Sequence, residues 1–348
     1  MTDPGRVRAH LAGQAETCRK LGSDFTGRVL DLLAVRLDES TAIGRKTLAW
    51  TGRLRDDALS LRLAGGLHAL ALTGGDPGLA AVYPASGSAP DDETLWSAVA
   101  AALRAHDAFL CAFIDSPPQT NEVARSGVLL GGYLTIAAET GLPLRTLEIG
   151  ASAGLNLHWD AWHYDLGGMQ WGDPASAVRL APDWTGPAPP DVSVEVLSRR
   201  ACDRSPFDPA DSNHAMRLRA YIWADQTLRR TRIDAAIAHA AARPERVEQA
   251  DAAQWVAARL AELAEGAATV LCHSIMWQYL PGETRAAISH GIAEAALRAT
   301  TGAPLAWLRM EPVPEGRGCE LCLTLWPDGE DRRLANVDFH GRWVEWLG

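Results

Sequence analysis

The chain has no apolar run approaching the roughly 18 residues needed to span a bilayer. No membrane association is therefore expected. Its opening Met-Thr-Asp-Pro-Gly-Arg lacks the apolar core of a secretory signal, which leaves the cytoplasm as the expected compartment. Cysteine is sparse, six in 348 residues, too few for a disulfide framework. Lysine is sparser still: Lys20 and Lys46 are the only two, a trait of coding bias rather than function. Positive charge as a whole is in deficit. A formal net charge of −10 excludes the basic surface that a polyanion needs, so nucleic acid is not an expected partner. The short run Arg229-Arg230-Thr231-Arg232 reads as a solvated helix face. Cys319 and Cys322 have the spacing of half a zinc site. But Cys-Glu-Leu-Cys-Leu-Thr-Leu-Trp alternates like a strand, where positions i and i+3 point to opposite faces, and no second pair is present. No metal site is expected.

The remaining composition, 47% hydrophobic and 22% charged, is that of an ordinary globular protein long enough for one large or two moderate domains. Residues 1–118 form a helical N-terminal region. Apolar residues recur at helical spacing over 7–19, 24–37, 61–72 and 95–114. Loop residues punctuate 74–77 and 85–90, and Asp115-Ser-Pro-Pro-Gln marks the boundary. A helix over 122–140 leads into a second domain, 119–348. There, short apolar runs at 144–149, 194–202, 247–250, 269–273, 305–310, 320–326 and 334–339 alternate with helical stretches. That alternation predicts an α/β fold with a mostly parallel sheet of about seven strands, the last two forming an antiparallel hairpin. Residues 159–191, rich in Trp, Gly and Pro, are too long for a connection and read as an insertion over the site. Trp159, Trp162, Tyr164 and Trp171 are compatible with an acceptor pocket or with the insertion's own small core.

The most informative stretch is Thr146-Leu-Glu-Ile-Gly-Ala-Ser-Ala-Gly-Leu-Asn-Leu157. It reads as a strand entering a glycine turn and then a helix N-terminus, whose free N–H groups face a ligand. Two chemistries share these letters. Glu148-x-Gly150-x-Ser152-x-Gly154 fits a nucleotide-type cofactor loop. Gly150-x-Ser152-x-Gly154 also spells the nucleophile elbow of serine hydrolases, with His340 or His273 as the base. Against the hydrolase, the preceding region is helical, and Glu148 would oppose an oxyanion.

Over 119–348 the chain resembles class I S-adenosylmethionine-dependent methyltransferases, with their Rossmann-like sheet. More closely, Gln119-x-Asn121-Glu122, Leu147–Leu157, Arg217-Leu-Arg-Ala-Tyr-Ile-Trp-Ala-Asp-Gln226, His273-Ser274 and Trp277-Gln-Tyr279 resemble DUF2332, an uncharacterised bacterial family. The methyltransferase resemblance implies that Glu148, Gly150, Ser152, Gly154 and Asn156 hold the amino-acid end of S-adenosylmethionine. Ser152 departs from the usual middle glycine. It implies that Asp203, ending the second strand, takes the ribose hydroxyls, a diol suiting a carboxylate's two acceptors. Asp251 and Ala252 would meet the adenine. His273 and Tyr279, after the fourth strand, would face cofactor and acceptor, His273 being the candidate base because imidazole titrates in the useful range. The Asn/Asp-Pro-Pro-Tyr/Phe signature of base-methylating enzymes is absent, which with the acidic charge turns the expected acceptor toward a small molecule or a protein. Arg217, Arg219, Trp223, Asp225 and Gln226 are compatible with carboxylate or phosphate binding or with a buried polar network. A non-catalytic binding protein on the same scaffold is the alternative. Oligomeric state is not legible in the sequence.

Overall fold

A computed structural model describes residues 3–84, 90–313 and 318–348. The turn expected at 85–90 thus falls almost wholly outside the described residues. The chain divides into two compact units, residues 1–120 with 212–231, and residues 121–211 with 232–348.

The first unit is helical: α1 (Pro4–Lys20), α2 (Asp24–Arg36), α3 (Ala42–Leu48), α4 (Leu59–Leu72), α5 (Pro77–Val82), α6 (Asp92–Ala105) and α7 (Asp107–Phe113). Asp3, Ser23, Thr41, Asp76 and Asp91 start five of these by accepting a first-turn backbone N–H. Each satisfies a donor that helix geometry otherwise strands. α4 is buried along nearly all of its faces, as a helix at the centre of a bundle must be. Its Arg62 is held by the carbonyls of Asp57, Ile114 and Asp115. The single helix expected over 95–114 is broken at His106. Asp107 turns away to accept the N–H groups of Ala42 (2.8 Å) and Ile43 (2.6 Å) at the start of α3, and His106 meets Asp76 at 3.1 Å.

The second unit opens with α8 (Ser126–Thr140), preceded by a 3-10 turn over Val123–Arg125. β1 (Leu144–Ile149) comes next, then a small sheet of β2 (His163–Leu166), β3 (Met169–Gly172) and β4 (Arg179–Leu180), then β5 (Asp183–Thr185) and β6 (Val196–Asp203). α9 (Ser212–Ala220) belongs to the first unit, and α10 (Thr227–Ala241) runs through the division at 231/232. The chain ends with β7 (Glu248–Gln249), α11 (Ala252–Arg259), β8 (Ala268–Ser274), α12 (Gly282–Ala296), β9 (Leu305–Pro312), β10 (Cys319–Trp326), β11 (Glu330–Val337) and β12 (Trp343–Trp346).

The main sheet has nine strands, not about seven, in the order β5-β12-β11-β10-β9-β8-β1-β6-β7. β7, β6, β1, β8 and β9 are parallel; β10, β11 and β12 continue as an antiparallel meander, and β5 pairs parallel to β12. The two unexpected strands are short, and β5 comes from inside the insertion. Cys319 and Cys322 lie on β10, paired opposite Pro312 and Arg309.

Strand parity sorts the core. Leu147 and Ile149 of β1 and Leu271 of β8 pack with Trp255, Val256, Ile288 and Ile292 of α11 and α12. On the other face α8 lies close against the strands because Gly131 and Gly132 carry no side chain. A Cβ on Gly132 would stand 2.3 Å from Leu308, and one on Gly131 would stand 2.5 Å from Trp346. The insertion's aromatics form core. Trp159, Trp162 and Tyr164 are buried, the Trp159 ring stacks on Tyr133 of α8 at 4.2 Å, and the Tyr164 hydroxyl donates to the Trp159 carbonyl at 2.6 Å. No helix among the described residues is long and apolar enough to cross a membrane.

Candidate functional site

Five parallel strands bring their carboxyl ends to one edge of the sheet. The order of strand addition reverses at β1: β6 and β7 extend to one side of it, β8 and β9 to the other. Open α/β sheets bind ligands in the crevice at such a point. Glu148 sits one residue from the end of β1. Because Leu147 and Ile149 point toward α11 and α12, Glu148 points to the α8 face. It is 4% exposed, and among the described residues no hydrogen bond reaches its carboxylate. Burial pushes its pKa up to about 8, with the Arg125 guanidinium opposing and Asp203 reinforcing the shift. Opposite Glu148 in the register is Cys272, which receives the Tyr133 hydroxyl at 3.1 Å. Burial lowers the pKa of Arg125, while Glu122 and Glu311 act to raise it. Arg125 donates to the carbonyls of Ser274 and Phe339, both at 3.2 Å.

The glycine turn forms as expected, but its amides are not free. Gly150, Ser152 and Gly154 have φ of 69°, 55° and 72°. The N–H groups of Gly150 and Ala151 donate to the Cys202 carbonyl at 2.9 and 3.2 Å. Ser152 N–H donates to Asp203 Oδ2 at 2.9 Å, Gly154 N–H to the Ala151 carbonyl at 2.8 Å, and Leu155 N–H to Asn121 Oδ1 at 2.8 Å. The turn leads into a short, kinked 3-10 helix, Leu155–Ala161, not the regular helix expected. Asn156 explains part of this. Its Oδ1 accepts from Ser126 Oγ at 2.7 Å and its Nδ2 donates to the Glu122 carbonyl at 3.3 Å, which ties the turn to the start of α8. The turn is built to bring backbone close, and five of its donors are spent inside the protein.

Asp203 is brought to the turn. Besides Ser152 N–H it accepts Ser205 N–H at 2.9 Å, and a carboxylate so used retains lone pairs for further donors. Asp251 caps α11 by accepting from Ala253 and Gln254 at 3.0 and 3.1 Å, and Ala252 is the first residue of that helix.

His273 is not brought to Glu148. The register that sets Glu148 opposite Cys272 puts His273 on the α12 face, with Leu271. Its Nε2 accepts the Trp307 indole N–H at 3.1 Å, so Nδ1 carries the proton and donates to Glu311 Oε1 at 2.6 Å. The side chain is wholly buried and its ring stacks on Trp277 at 5.1 Å. The proton-accepting role expected of His273 has no free nitrogen to act through. The ring serves instead to position the loop after β8. Glu311, which sequence reasoning missed, anchors the same loop through the N–H groups of Met276 (3.1 Å) and Trp277 (3.3 Å), where Ile275 has a φ of 51°. An acid ending a parallel strand was the available signal. Tyr279, on the same loop, is 73% exposed.

Three groups of the 217–226 segment are consumed in building the helical unit. Asp225 accepts from Ser23 Oγ (2.5 Å) and Phe25 N–H (3.0 Å), Gln226 donates to the Leu21 carbonyl (3.2 Å), and Arg217 lies 4.1 Å over the Phe113 ring.

The protein is thus a mixed α/β protein that places a buried acid, two further acids and a glycine turn at or just past the carboxyl ends of its parallel strands. It belongs to DUF2332, the family described as an uncharacterized protein conserved in bacteria, whose model matches residues 8–346. Comparison with curated proteins and with solved structures finds no match.

Proposed function

We propose that this protein binds S-adenosylmethionine on a Rossmann-like sheet and transfers its methyl group to a small-molecule or protein acceptor. The observation that carries the reading is Glu148, a buried carboxyl without a hydrogen-bond partner among the described residues, beside a glycine turn whose amides are mostly engaged. A phosphate would look for free amides there. A sulfonium or ammonium looks for an acid. Counted along the chain, the parallel strands lie in the order third, second, first, fourth, fifth, as in doubly wound nucleotide-binding sheets. Glu148, Asp203 and Asp251 stand at or just past the ends of the first three. The continuous meander of β10, β11 and β12 is this chain's own departure from a sheet that ends in a single hairpin.

These residues fit the cofactor. Glu148 would hold the ammonium of its amino-acid end and Arg125 its carboxylate. Asp203 keeps lone pairs for the ribose hydroxyls, and Asp251 for the adenine amino group. When bound, the cofactor supplies an electrophilic methyl group. The chain's own task is alignment and exclusion of water. Tyr279, exposed on the loop after β8 together with Gln278, would meet the acceptor. His273, with both nitrogens engaged, holds that loop.

One observation favours a second reading. Ser152 has a φ of 55°, and a nucleophile elbow strains its serine in the same way. Burial of Ser152 to 6% exposure and the acid beneath it argue against a nucleophile. Calorimetric titration with S-adenosylhomocysteine tests the first reading, and absence of heat or thermal shift at millimolar ligand would sink it. Transfer of labelled methyl to a metabolite or protein fraction separates an enzyme from a non-catalytic binder. Stoichiometric fluorophosphonate labelling at Ser152 would promote the hydrolase.

A further inference from the structure

The loop after β8 touches the glycine turn after β1. A Cβ placed on Gly150 would stand 2.8, 2.9 and 3.0 Å from Met276 Cγ, Cβ and Cε. The half-buried Met276 therefore lies along the bare face of Gly150, its sulfur between two of those carbons. A glycine at such a turn lets another group come close. On this face the group that comes close is a side chain of the protein itself.

The backbone beside Met276 is strained. Ile275 has a left-handed φ of 51°, where a β-branched side chain crowds the following carbonyl. Among the described residues only Ala58, Ser152 and Ile275 combine a side chain with such a φ, and the last two stand on the turns after β1 and β8, which are paired strands. Strain of this kind persists only where the surroundings over-determine it, and it gathers at ligand clamps and switches. The surroundings here are the last residues of β9. Ile275 N–H donates to the Met310 carbonyl at 2.9 Å, and Glu311 Oε1 accepts Met276 N–H and Trp277 N–H at 3.1 and 3.3 Å.

We propose, on the reading of this turn as the cofactor site, that Met276 is a built-in cap on Gly150, displaced when a ligand binds there, and that the strain at Ile275 favours its release. Freed from its anchors, Ile275 returns to an ordinary φ and carries Met276 off the turn. A ligand that needs the uncapped arrangement binds with an affinity reduced by the fraction uncapped. Shortening the cap removes that penalty and relieving the strain enlarges it, so substitutions at neighbouring residues act in opposite directions. A side chain that only walled the site would weaken binding when shortened.

The first measurement needs no ligand. Hydrogen peroxide oxidises an accessible thioether, and peptide mass spectrometry of the treated full chain reads Met276, with the half-buried Met169 and Met216 as internal references. Ile275→Gly and Ile275→Asn both accept a left-handed φ, and each should slow Met276 oxidation at least threefold. If one variant fails to fold by circular dichroism, the other decides. The second measurement is calorimetry with S-adenosylhomocysteine, which Met276→Ala should bind at least threefold tighter than wild type and Ile275→Gly at least threefold weaker. Absence of heat in every variant would overturn the cofactor reading and leave the peroxide comparison to decide the cap. Unchanged or faster Met276 oxidation in a folded Ile275 variant, or unchanged or weaker binding by Met276→Ala, would overturn the cap.

Discussion

Replacing Glu148 by Gln keeps the shape of the side chain and removes its titration. The folded protein holds this carboxyl at about 8 instead of 4.5, so burial disfavours the charged form by about 5 kcal/mol, at about 1.4 kcal/mol per pH unit. The sign is set by the direction of the shift. An acid whose pKa is raised by folding leaves stability intact below 4.5, and erodes it progressively as pH rises from 4.5 toward 8. Wild type and Glu148→Gln should therefore differ by less than about 1 kcal/mol at pH 5. By pH 8.5 the variant should be the more stable, by up to about 5 kcal/mol. Urea or thermal unfolding at pH 5, 7 and 8.5 measures the difference. With two units the chain need not unfold in one step, so the decisive quantity is how the gap between the proteins changes with pH. Parallel behaviour of the two across that range would refute the reasoning. The same carboxyl links to ligand binding. At pH 7 about nine in ten molecules carry it protonated, so a cation bound beside it should release close to one proton. Calorimetry of S-adenosylmethionine in two buffers of different ionisation enthalpy reads that proton, and Glu148→Gln should abolish it together with the binding.

Asp203→Ala strips the acceptor from Ser152 N–H and Ser205 N–H, so a loss of about 1–3 kcal/mol in unfolding free energy is expected along with weaker S-adenosylhomocysteine binding; unaltered stability would show that Asp203 does not fasten the turn. Gly150→Val adds a Cβ 2.8 Å from Met276 Cγ at a φ of 69°, and should abolish S-adenosylhomocysteine binding more thoroughly than Gly154→Ala, as calorimetry would show. Ser152→Gly relieves a left-handed residue and should stabilise the fold by about 1 kcal/mol with the ligand affinity retained, while wild-type Ser152 stays unlabelled by fluorophosphonate. Trp307→Phe and His273→Gln should both speed proteolysis within 275–281, because both loosen the loop that His273 and Glu311 hold; loss of methyl transfer in His273→Gln with unchanged proteolysis would restore the ring as the base.

β1 could be read residue for residue, because Leu-Arg-Thr-Leu-Glu-Ile is an apolar run bounded by Pro143 and Gly150, and local composition decides it. The glycine turn is legible for a similar reason, since Gly150 and Gly154 permit the positive φ they adopt. The break at His106 was hidden because its cause, Asp107 reaching the start of α3, lies 64 and 65 residues away in sequence. The position of His273 was hidden for a related reason. Its alternation along β8 is plain, but the face it occupies relative to Glu148 depends on the register between two strands more than a hundred residues apart. Glu311 acts through a neighbouring strand, and its place near the end of β9 is its one local signal. The insertion's tryptophans looked equally suited to pocket or core until Tyr133 of α8 was found stacked beneath Trp159.

The nine-stranded sheet ends in very short strands on both margins, two residues in β7 and three in β5. Sheet edges offer unpaired amides and carbonyls to any extended chain that arrives, and long flat margins invite self-association. Inside, β8, β9 and β10 are paired on both sides, but β6 carries a partner on its outer side only at Cys202 and Asp203, and β11 only at Ala335, Asn336 and Val337. At the β6 margin, β7 leaves residues 196–201 without a strand partner on their outer side. By lending Asp183–Thr185 back to the sheet, the insertion pairs with β12 and leaves only a three-residue strand at the opposite margin.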